Sequence, residues 1–279
     1  MLKLTILCEN TAIPSLGILG EHGFAVLIEN EENSFLFDTG QGHSIIHNAF
    51  CLEKDLRKVK RIFLSHGHYD HTGGLEKVLN ITEKIDIYAH PDIFSERIAV
   101  LKRGGKKIEK NVGMPESKEV YEALGARFVF NKTFTDVEPD MYLTGEVPRL
   151  TTFEKADKRL MIKKDGRLVP DPLNDDQSLV VTTPRGLVVV LGCAHSGMIN
   201  TLNHIKEKLP GQKIWMVIGG THIGFLTDEQ VRETIVALDG FLIERIGVSH
   251  CTGLAQSMKL MQAFGDKFFF ANAGSVIEV

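Results

Sequence analysis

The chain has 279 residues, enough for one large α/β domain or two small ones, and its 43% hydrophobic and 24% charged residues are typical of a globular protein. A net charge of -4 gives no general attraction to nucleic acid, so no nucleic-acid partner is expected. No apolar run approaches the length of a membrane-spanning helix, and the N-terminal segment MLKLTILCEN indicates a first strand rather than a signal peptide. The four scattered cysteines favour a reducing, cytoplasmic setting.

In the first half of the chain, alternating hydrophobicity predicts strands in LKLTILCEN and in HGFAVLIENEENSFLFDTG, where NEENS joins two of them. Residues 44–58 carry apolar positions at helical spacing, and VKRIFLSH and KIDIYAHP are short β-rich runs. The Gly-Gly pair in LKRGGKKIEKNVG predicts a hairpin with basic arms. ESKEVYEALG then predicts a helix that ends at Gly125, followed by short strands and a loop.

The last third predicts strands in QSLVVTTPRGLVVVLGC, KIWMVIGG, RIGVSH and FFFANAGSVIEV. Between them, MINTLNHIKEKL, TDEQVRETIVAL and AQSMKLMQAF predict helices, the second with a capping box formed by Thr227 and Gln230. Both halves therefore mix strands with helices that can cover them, which fits a layered αββα sandwich of the α/β class. We expect a single domain over residues 1–279, with an insertion at about 91–150 that contains the basic hairpin.

The segment FLSHGHYDHTGG, residues 63–74, concentrates metal-binding side chains directly after a predicted strand. His66, His68, Asp70 and His71 fall within six positions, and imidazole and carboxylate groups are the ligands that zinc and related ions prefer. A polar loop with histidines by chance is the alternative, but the whole chain has 11 histidines, so three in six positions favours a metal. Two ions a few ångström apart would form a two-metal hydrolytic site.

Four ligands on one loop cannot complete two coordination shells, so further ligands are expected at other strand ends. His195, His222 and His250 each follow an apolar β run and stand beside small residues. If their strands lie side by side, these histidines converge on one edge of the sheet. His47 and His204 lie in helical segments and are expected to be surface or satisfied core residues.

Other strand ends carry polar residues with two open interpretations each. Asp38, in FLFDTG, either orients a metal-binding histidine or forms an Asx-type turn. His90, in YAHP, either lines a pocket or has a structural role. The loop histidines His22 and His43 are left undecided.

These motifs together resemble the metallo-β-lactamase superfamily, through FLFDTG before a helix, SHGHYDHTGG after a strand and SHCTG near the end. More narrowly, LCENTA, EHGFAVLIE, YAHPDIFSER, LTGEVPR and LGCAHSG resemble the branch that includes dihydropterin ribofuranosyl-aminobenzene phosphate synthases. The resemblance implies an αββα sandwich with one or two divalent ions at one edge of its sheets. Zinc is the first expectation for the metal, with manganese and iron as alternatives.

The family pattern implies a ligand set in which this chain departs at one position. It places metal ligands at His66, His68, Asp70, His71 and His250. Where the family has an aspartate that bridges two metals, this chain has Gly192-Cys193, with His195 two residues further on. Either Cys193 or His195 must substitute, and we expect His195 to be the ligand because Cys193 is equally explained as a small buried residue. For His222 we expect contact with the substrate or support of a ligand, with a solvent-exposed turn as the alternative. His68, where the di-iron oxygen-reducing branch has a glutamate, argues against that branch.

Three functions are open on this basis. The first is a metal-dependent hydrolase, in which a metal-activated water attacks the substrate and Asp70 serves as ligand and proton acceptor. The second is a transferase of the dihydropterin synthase type, in which an arylamine displaces diphosphate. The third is a metal-binding protein without turnover.

The basic hairpin predicts a small anionic substrate, most simply a phosphorylated one. Arg149, in GEVPR, is a further candidate that would clamp a phosphate. The alternative is that the hairpin is only a solvated surface. The hairpin cations fall within nine positions that include one acid, Glu109, and they are Lys102, Arg103, Lys106, Lys107 and Lys110.

Overall fold

Each half of the chain builds most of one large β-sheet, and the two sheets pack face to face. The computed structural model describes residues 1–14 and 17–279. The elements of the first half are β1 (Lys3–Cys8), β2 (Ala25–Glu29), β3 (Ser34–Phe37), α1 (Ile45–Cys51), β4 (Val59–Phe63), α2 (Tyr69–Thr72), α3 (Leu75–Leu79), β5 (Ile85–Ala89), β6 (Arg97–Arg103), β7 (Lys106–Asn111), α4 (Lys118–Ala123) and β8 (Ala126–Phe130).

The second half repeats this alternation of strands and helices, and its last strand returns to the first sheet. Its elements are β9 (Thr135–Glu138), β10 (Met141–Leu143), β11 (Leu160–Lys164), β12 (Arg167–Pro170), β13 (Leu179–Thr183), β14 (Gly186–Leu191), α5 (Met198–Lys208), β15 (Ile214–Gly220), α6 (Asp228–Asp239), β16 (Arg245–Ser249), α7 (Leu254–Phe264), β17 (Phe268–Phe270) and β18 (Val276–Glu278).

Among the described residues, each large sheet has seven strands. The first has the order β18-β1-β2-β3-β4-β5-β8, and the second has the order β17-β16-β15-β14-β13-β10-β9. Four neighbouring strands are parallel in each sheet: β3, β4, β5 and β8 in the first, and β14 to β17 in the second. The loops that follow β3, β4, β14, β15 and β16 therefore leave from carboxyl ends of parallel strands, and they carry the candidate site.

Helices cover the outer faces of both sheets, which makes four layers. Residues of both sheets share one core between them, for example Phe63 and Val190. The outer face of the first sheet packs against α1, α3 and α4, and that of the second against α5, α6 and α7. Residues 25–28 of β2 are all apolar because both faces of the strand are covered: Val26 and Ile28 face the shared core, and Leu27 faces the helices. The predicted αββα sandwich is confirmed.

A third sheet, with the order β12-β11-β6-β7, stands beside the sandwich. Its β6–β7 pair is the predicted basic hairpin, which turns at Gly104 and Gly105, both with positive φ. The β11–β12 hairpin was not predicted, and it pairs with β6 in the register Leu160 to Ala99. Of the segment 91–150, Ala126–Phe130 and the strands β9 and β10 belong to the large sheets. The single domain over residues 1–279, with its insertion at about 91–150, stays a prediction.

Taken over residues 1–14 and 17–279, no helix has both the length and the apolar character needed to cross a membrane.

Candidate metal centre

The loop after β4 brings four potential ligands to the edge of the sheets. Gly67 is required at its turn, because a Cβ there would collide with the carbonyl oxygen of Ile93 and the guanidinium of Arg97. The amide of Gly67 donates a hydrogen bond to the Asp175 carboxylate over 2.8 Å. The chain then enters the short helix α2 directly after His68, which turns Asp70 and His71 into the interior.

Three imidazole rings form the first cluster, hereafter the histidine triad: His66, His68 and His195. The Nε2 atom of His66 lies 2.9 Å from Nδ1 of His68 and 3.2 Å from Nε2 of His195. Nitrogen ligands 2.0–2.1 Å from a tetrahedral zinc ion stand about 3.3 Å apart, so the observed spacing fits a single ion.

The protonation state of the triad also fits a cation. Burial holds the pKa values of His66 and His195 well below their usual range and lowers the pKa of His68 to about 3. The rings are therefore neutral, and their lone pairs meet at one point where a positive ion would satisfy them.

A second cluster, hereafter the mixed triad, consists of Asp70, His71 and His250. The Nε2 atom of His250 lies 3.3 Å from both Nε2 of His71 and Oδ2 of Asp70. Burial raises the pKa of Asp70, but hydrogen bonds from His22 and His250 outweigh burial and hold that pKa well below its usual range. Asp70 is therefore a carboxylate, which is the form that binds a metal.

Each histidine of the mixed triad is held from behind by an acceptor on its other ring nitrogen. Nδ1 of His71 donates to Oδ2 of Asp38 over 2.7 Å, and Nδ1 of His250 donates to Oδ1 of Asn10 over 2.9 Å. The backbone amide of His250 also donates to the Glu9 carboxylate over 2.7 Å. These contacts fix the tautomer that leaves both Nε2 atoms free for a metal.

Four residues that hold the proposed ligands or their loops in place were not predicted from the sequence. Glu9 and Asn10 follow β1, so their position after a strand at this edge was a usable signal. Asp175 and Asp176 lie in the segment between β12 and β13 and hold the two metal loops through the amides of Gly67 and Ser196. Nothing in their local pattern distinguished them from ordinary loop acids.

His22, left undecided from the sequence, lies at the mixed triad. Its Nε2 is 3.0 Å from Oδ2 of Asp70, and its ring centroid is 5.0 Å from that of His250. With its side chain 54% exposed, His22 stands between the cluster and solvent.

His222 lies at the same edge, as expected for a histidine after β15. Its ring centroid is 4.2 Å from that of His195, and its backbone has a φ of 54°. In the part of the chain that the structure describes, neither of its ring nitrogens has a hydrogen-bond partner, although Nε2 lies 3.5 Å from Oδ2 of Asp157.

Two predicted site residues face away from the clusters. His90 is buried, lies 3.0 Å from Glu146 and accepts a hydrogen bond from the Asp92 amide, so it has a structural role. The guanidinium of Arg149 donates to the carbonyl oxygens of His195 over 2.6 Å and Pro172 over 3.2 Å. Arg149 therefore holds the His195 loop from behind, and its position does not support the predicted phosphate clamp.

A cavity of about 410 Å³ is lined by His68 and His195 of the histidine triad and by Asp70 and His250 of the mixed triad. The third sheet forms one wall through apolar residues such as Leu101 and Leu160. Tyr69 and Phe225 add aromatic surface, and Lys110 and Arg159 add positive charge. A neighbouring cavity of about 620 Å³ shares Asp157, His222 and Phe225 with it but contains neither triad.

The hairpin cations differ in their relation to this cavity. Lys110 lines it and approaches Tyr69, with Nζ 3.1 Å from the phenol oxygen. Lys102, Arg103, Lys106 and Lys107 lie nearer the hairpin tip and outside the cavity wall, and Lys107 pairs with Glu109 over 2.8 Å.

Comparison with known proteins places this arrangement in context. A synthase of Methanocaldococcus jannaschii, 7,8-dihydropterin-6-methyl-4-(β-D-ribofuranosyl)-aminobenzene-5'-phosphate synthase, is 32% identical over 99% of this chain and 96% of its own. A crystal structure of a metal-dependent hydrolase of the β-lactamase superfamily superposes with a TM-score of 0.83 at 27% identity, covering 100% of this chain and 99% of the other. The family model of the metallo-β-lactamase superfamily matches residues 19–205. Because this match covers more than half of the chain and includes the metal loop, the chain belongs to the metallo-β-lactamase superfamily.

Proposed function

We propose that the protein is a metal-dependent hydrolase of a small phosphorylated substrate bound in the 410 Å³ cavity. The observation that carries this proposal is that members of both triads line one cavity that also contains two cationic side chains. The presence of a metal-dependent hydrolase among the solved structures most similar to this chain supports it.

In this proposal His66, His68 and His195 hold one divalent ion, and Asp70, His71 and His250 hold a second. A bound ion of this kind polarises a phosphoryl oxygen and activates water as a nucleophile, and zinc suits this donor set. Asp38 keeps the His71 ring in the tautomer that presents Nε2. Asp70, which lines the cavity, serves as ligand and as hydrogen-bond acceptor for the nucleophile.

The anion is recognised by Lys110, on β7, and by Arg159, directly before β11. Lys110 has its ammonium 4.7 Å from the centroid of the Tyr69 ring and 3.1 Å from the Tyr69 phenol oxygen. Arg159 is partly neutralised by Asp157 but lies over the Phe225 ring, 4.2 Å from its centroid. A phosphate bound by these cations would share the cavity with the proposed metal ligands.

A second candidate is a transferase in which an arylamine replaces water and displaces diphosphate. Two observations favour it: the 32% identity to a synthase whose product contains an aminobenzene group, and the aromatic and apolar wall formed by Tyr69, Phe225, Leu101 and Val112. Both reactions use the same metal ligands, so the ligands alone do not separate them.

The test is a partition experiment with protein loaded with zinc or manganese. The protein is incubated with a dihydropterin-methyl diphosphate, with and without an aminobenzene ribotide, and separately with bis(4-nitrophenyl) phosphate. Phosphate and diphosphate released from the pterin substrate are measured by phosphorus NMR, 4-nitrophenol released from the phosphodiester by its absorbance, and coupled product by mass spectrometry. His47→Ala is the matched control, since it removes a histidine on α1, away from both triads.

The outcomes separate the candidates. Hydrolysis without amine supports the hydrolase, and coupled product that forms only with amine supports the transferase. Absence of turnover in protein that retains its metal would contradict both and leave a metal-binding protein.

A further inference from the structure

Cys193 belongs to neither triad but reaches both. Its sulfur lies 3.1 Å from Nε2 of His71. It also lies within 4.8 Å of donor atoms on His66 and His195 in the histidine triad and on His250 in the mixed triad. The side chain is buried from bulk solvent, with 3% exposed, yet it forms part of the cavity wall.

The backbone around Cys193 fixes this position. Gly192, just after β14, packs so closely against Ser65 that a Cβ would collide with its hydroxyl group. The carbonyl of Gly192 accepts a hydrogen bond from the Gly220 amide over 3.2 Å. Ala194 has a φ of 55°, a left-handed conformation that a non-glycine residue seldom adopts. This turn directs the side chains of both Cys193 and His195 toward the same cavity.

The geometry points to Cys193 as a thiolate ligand shared by the two metal positions. The inference rests on the two-ion centre of the proposed function and specifies its chemistry. A thiolate has several lone pairs, so one sulfur atom can contact two ions at once, as a bridging carboxylate does. Cys193 then occupies the place where sequence analysis found the aspartate of the family pattern missing.

The neighbouring histidines are poorer candidates for this place. Nε2 of His195 is already directed to the histidine triad, 3.2 Å from Nε2 of His66. A neutral imidazole offers one lone pair, so His222 cannot hold two ions through a single atom. Cys251 lies next to Cys193, but its sulfur contacts the His222 amide and the Cys193 carbonyl oxygen.

A shared sulfur ligand changes which metals the centre prefers. Thiolate is a soft ligand that favours zinc over manganese, whereas carboxylate suits manganese. The Cys193→Asp variant should therefore shift the metal preference of the centre toward manganese while keeping two ions.

The test uses the full chain loaded with cobalt(II), whose absorption spectrum reports sulfur ligation directly. We expect two cobalt ions per chain by elemental analysis and a sulfur-to-cobalt charge-transfer band in the near ultraviolet. The band should disappear in Cys193→Ser and in Cys193→Asp, and it should persist in Cys251→Ser. Cys51→Ser, at the exposed end of α1, is the matched control and should leave the spectrum unchanged.

A band that survives in Cys193→Ser, or that is lost in Cys251→Ser instead, would overturn the inference. So would a wild-type protein that binds two cobalt ions without the band. If Cys193→Ser fails to fold, Cys193→Asp supplies the same comparison with a carboxylate that keeps the ions bound. Turnover measured in parallel separates the two proposals: turnover without the band overturns the sulfur ligand alone, and the band without turnover overturns the proposed function alone.

Discussion

Asp38 and His71 form a fully buried pair in which Nδ1 of the imidazole donates to Oδ2 of the carboxylate over 2.7 Å. Burial lowers the pKa of His71, but the Asp38 carboxylate outweighs burial and raises that pKa above its usual value. The same carboxylate accepts hydrogen bonds from the amide and hydroxyl of Ser65, at the start of the metal loop. One side chain thus orients a proposed ligand and anchors the loop that carries it.

The Asp38→Asn variant tests this relationship. Asparagine tolerates the positive φ of 58° at this position, so the fold should survive, but the amide no longer imposes the His71 tautomer. We expect zinc affinity to fall about 10–100-fold, as is typical when such a partner is lost. Competition with a chelator measures the affinity, and Asp136→Asn, on the exposed edge strand β9, is the control. Equal zinc affinity in wild type and Asp38→Asn would show that Asp38 anchors the Ser65 backbone but does not orient the His71 ring for metal binding.

Removing a ring from the histidine triad should have a larger effect. His68→Ala leaves the first ion with two imidazoles, so we expect loss of most metal and of all turnover. His222→Ala should keep its metal and lower turnover, since His222 is proposed to contact the substrate or support a ligand. Elemental analysis after dialysis measures the bound metal. If His222→Ala lost metal as completely as His68→Ala, His222 would be a metal ligand and the role proposed for it here would be wrong.

The buried histidines predict acid sensitivity of the metal-free protein. His68 has a folded-state pKa of about 3, below its usual 6.5, so between these values the unfolded chain binds more protons than the folded one. Stability therefore falls as pH decreases through this window, by at most about 1.4 kcal/mol per pH unit for each such histidine.

Urea denaturation of the metal-free protein between pH 7 and pH 5 measures this slope. His68→Gln should show a shallower loss of stability over the same range, whereas the control His47→Gln should follow the wild type. Parallel curves for wild type and His68→Gln would contradict the assignment of a neutral, buried His68.

Recognition of an anion depends on Lys110 more than on the hairpin tip. Lys110→Gln should lower kcat/KM for a phosphorylated substrate several-fold and weaken its decrease with salt, because exposed charges are screened over roughly 10 Å at 0.1 M ionic strength. The double variant with Lys106→Gln and Lys107→Gln should have a smaller effect, since neither lysine lines the cavity. Steady-state rates across a salt series measure both. Equal effects of the two changes would favour general steering by the whole hairpin over a contact made by Lys110.

The sandwich and the assembly of the histidines could be predicted because both depend on local patterns. The ligands of the metal loop are adjacent in sequence, and His195, His222 and His250 each follow an apolar strand whose end is recognisable. Parallel strands then bring these ends to one edge. The strand ends can therefore be placed together without knowing the path of any loop.

The position of Glu9 and Asn10 after a strand was a usable signal, but the pairing of the supporting contacts could not be predicted, because they join residues that are distant in the chain. The carboxylate of Glu9 and the amide of His250 are separated by 241 positions, and neither neighbourhood indicates the other. The β11–β12 hairpin was missed because none of its strand residues is buried, so its strands lack a clear apolar period. For Arg149 the charge was evident, but only the path of the loop revealed that it points to backbone carbonyls.

The central claim is that two metal ions occupy the edge where the loops of the two sheets meet. Anomalous X-ray diffraction at the zinc edge, from crystals of the zinc-loaded protein, tests this most directly. We predict two peaks, one among His66, His68 and His195 and one among Asp70, His71 and His250, with the Cys193 sulfur in contact with both. A single peak away from these side chains, or no peak in protein that retains stoichiometric zinc, would contradict it.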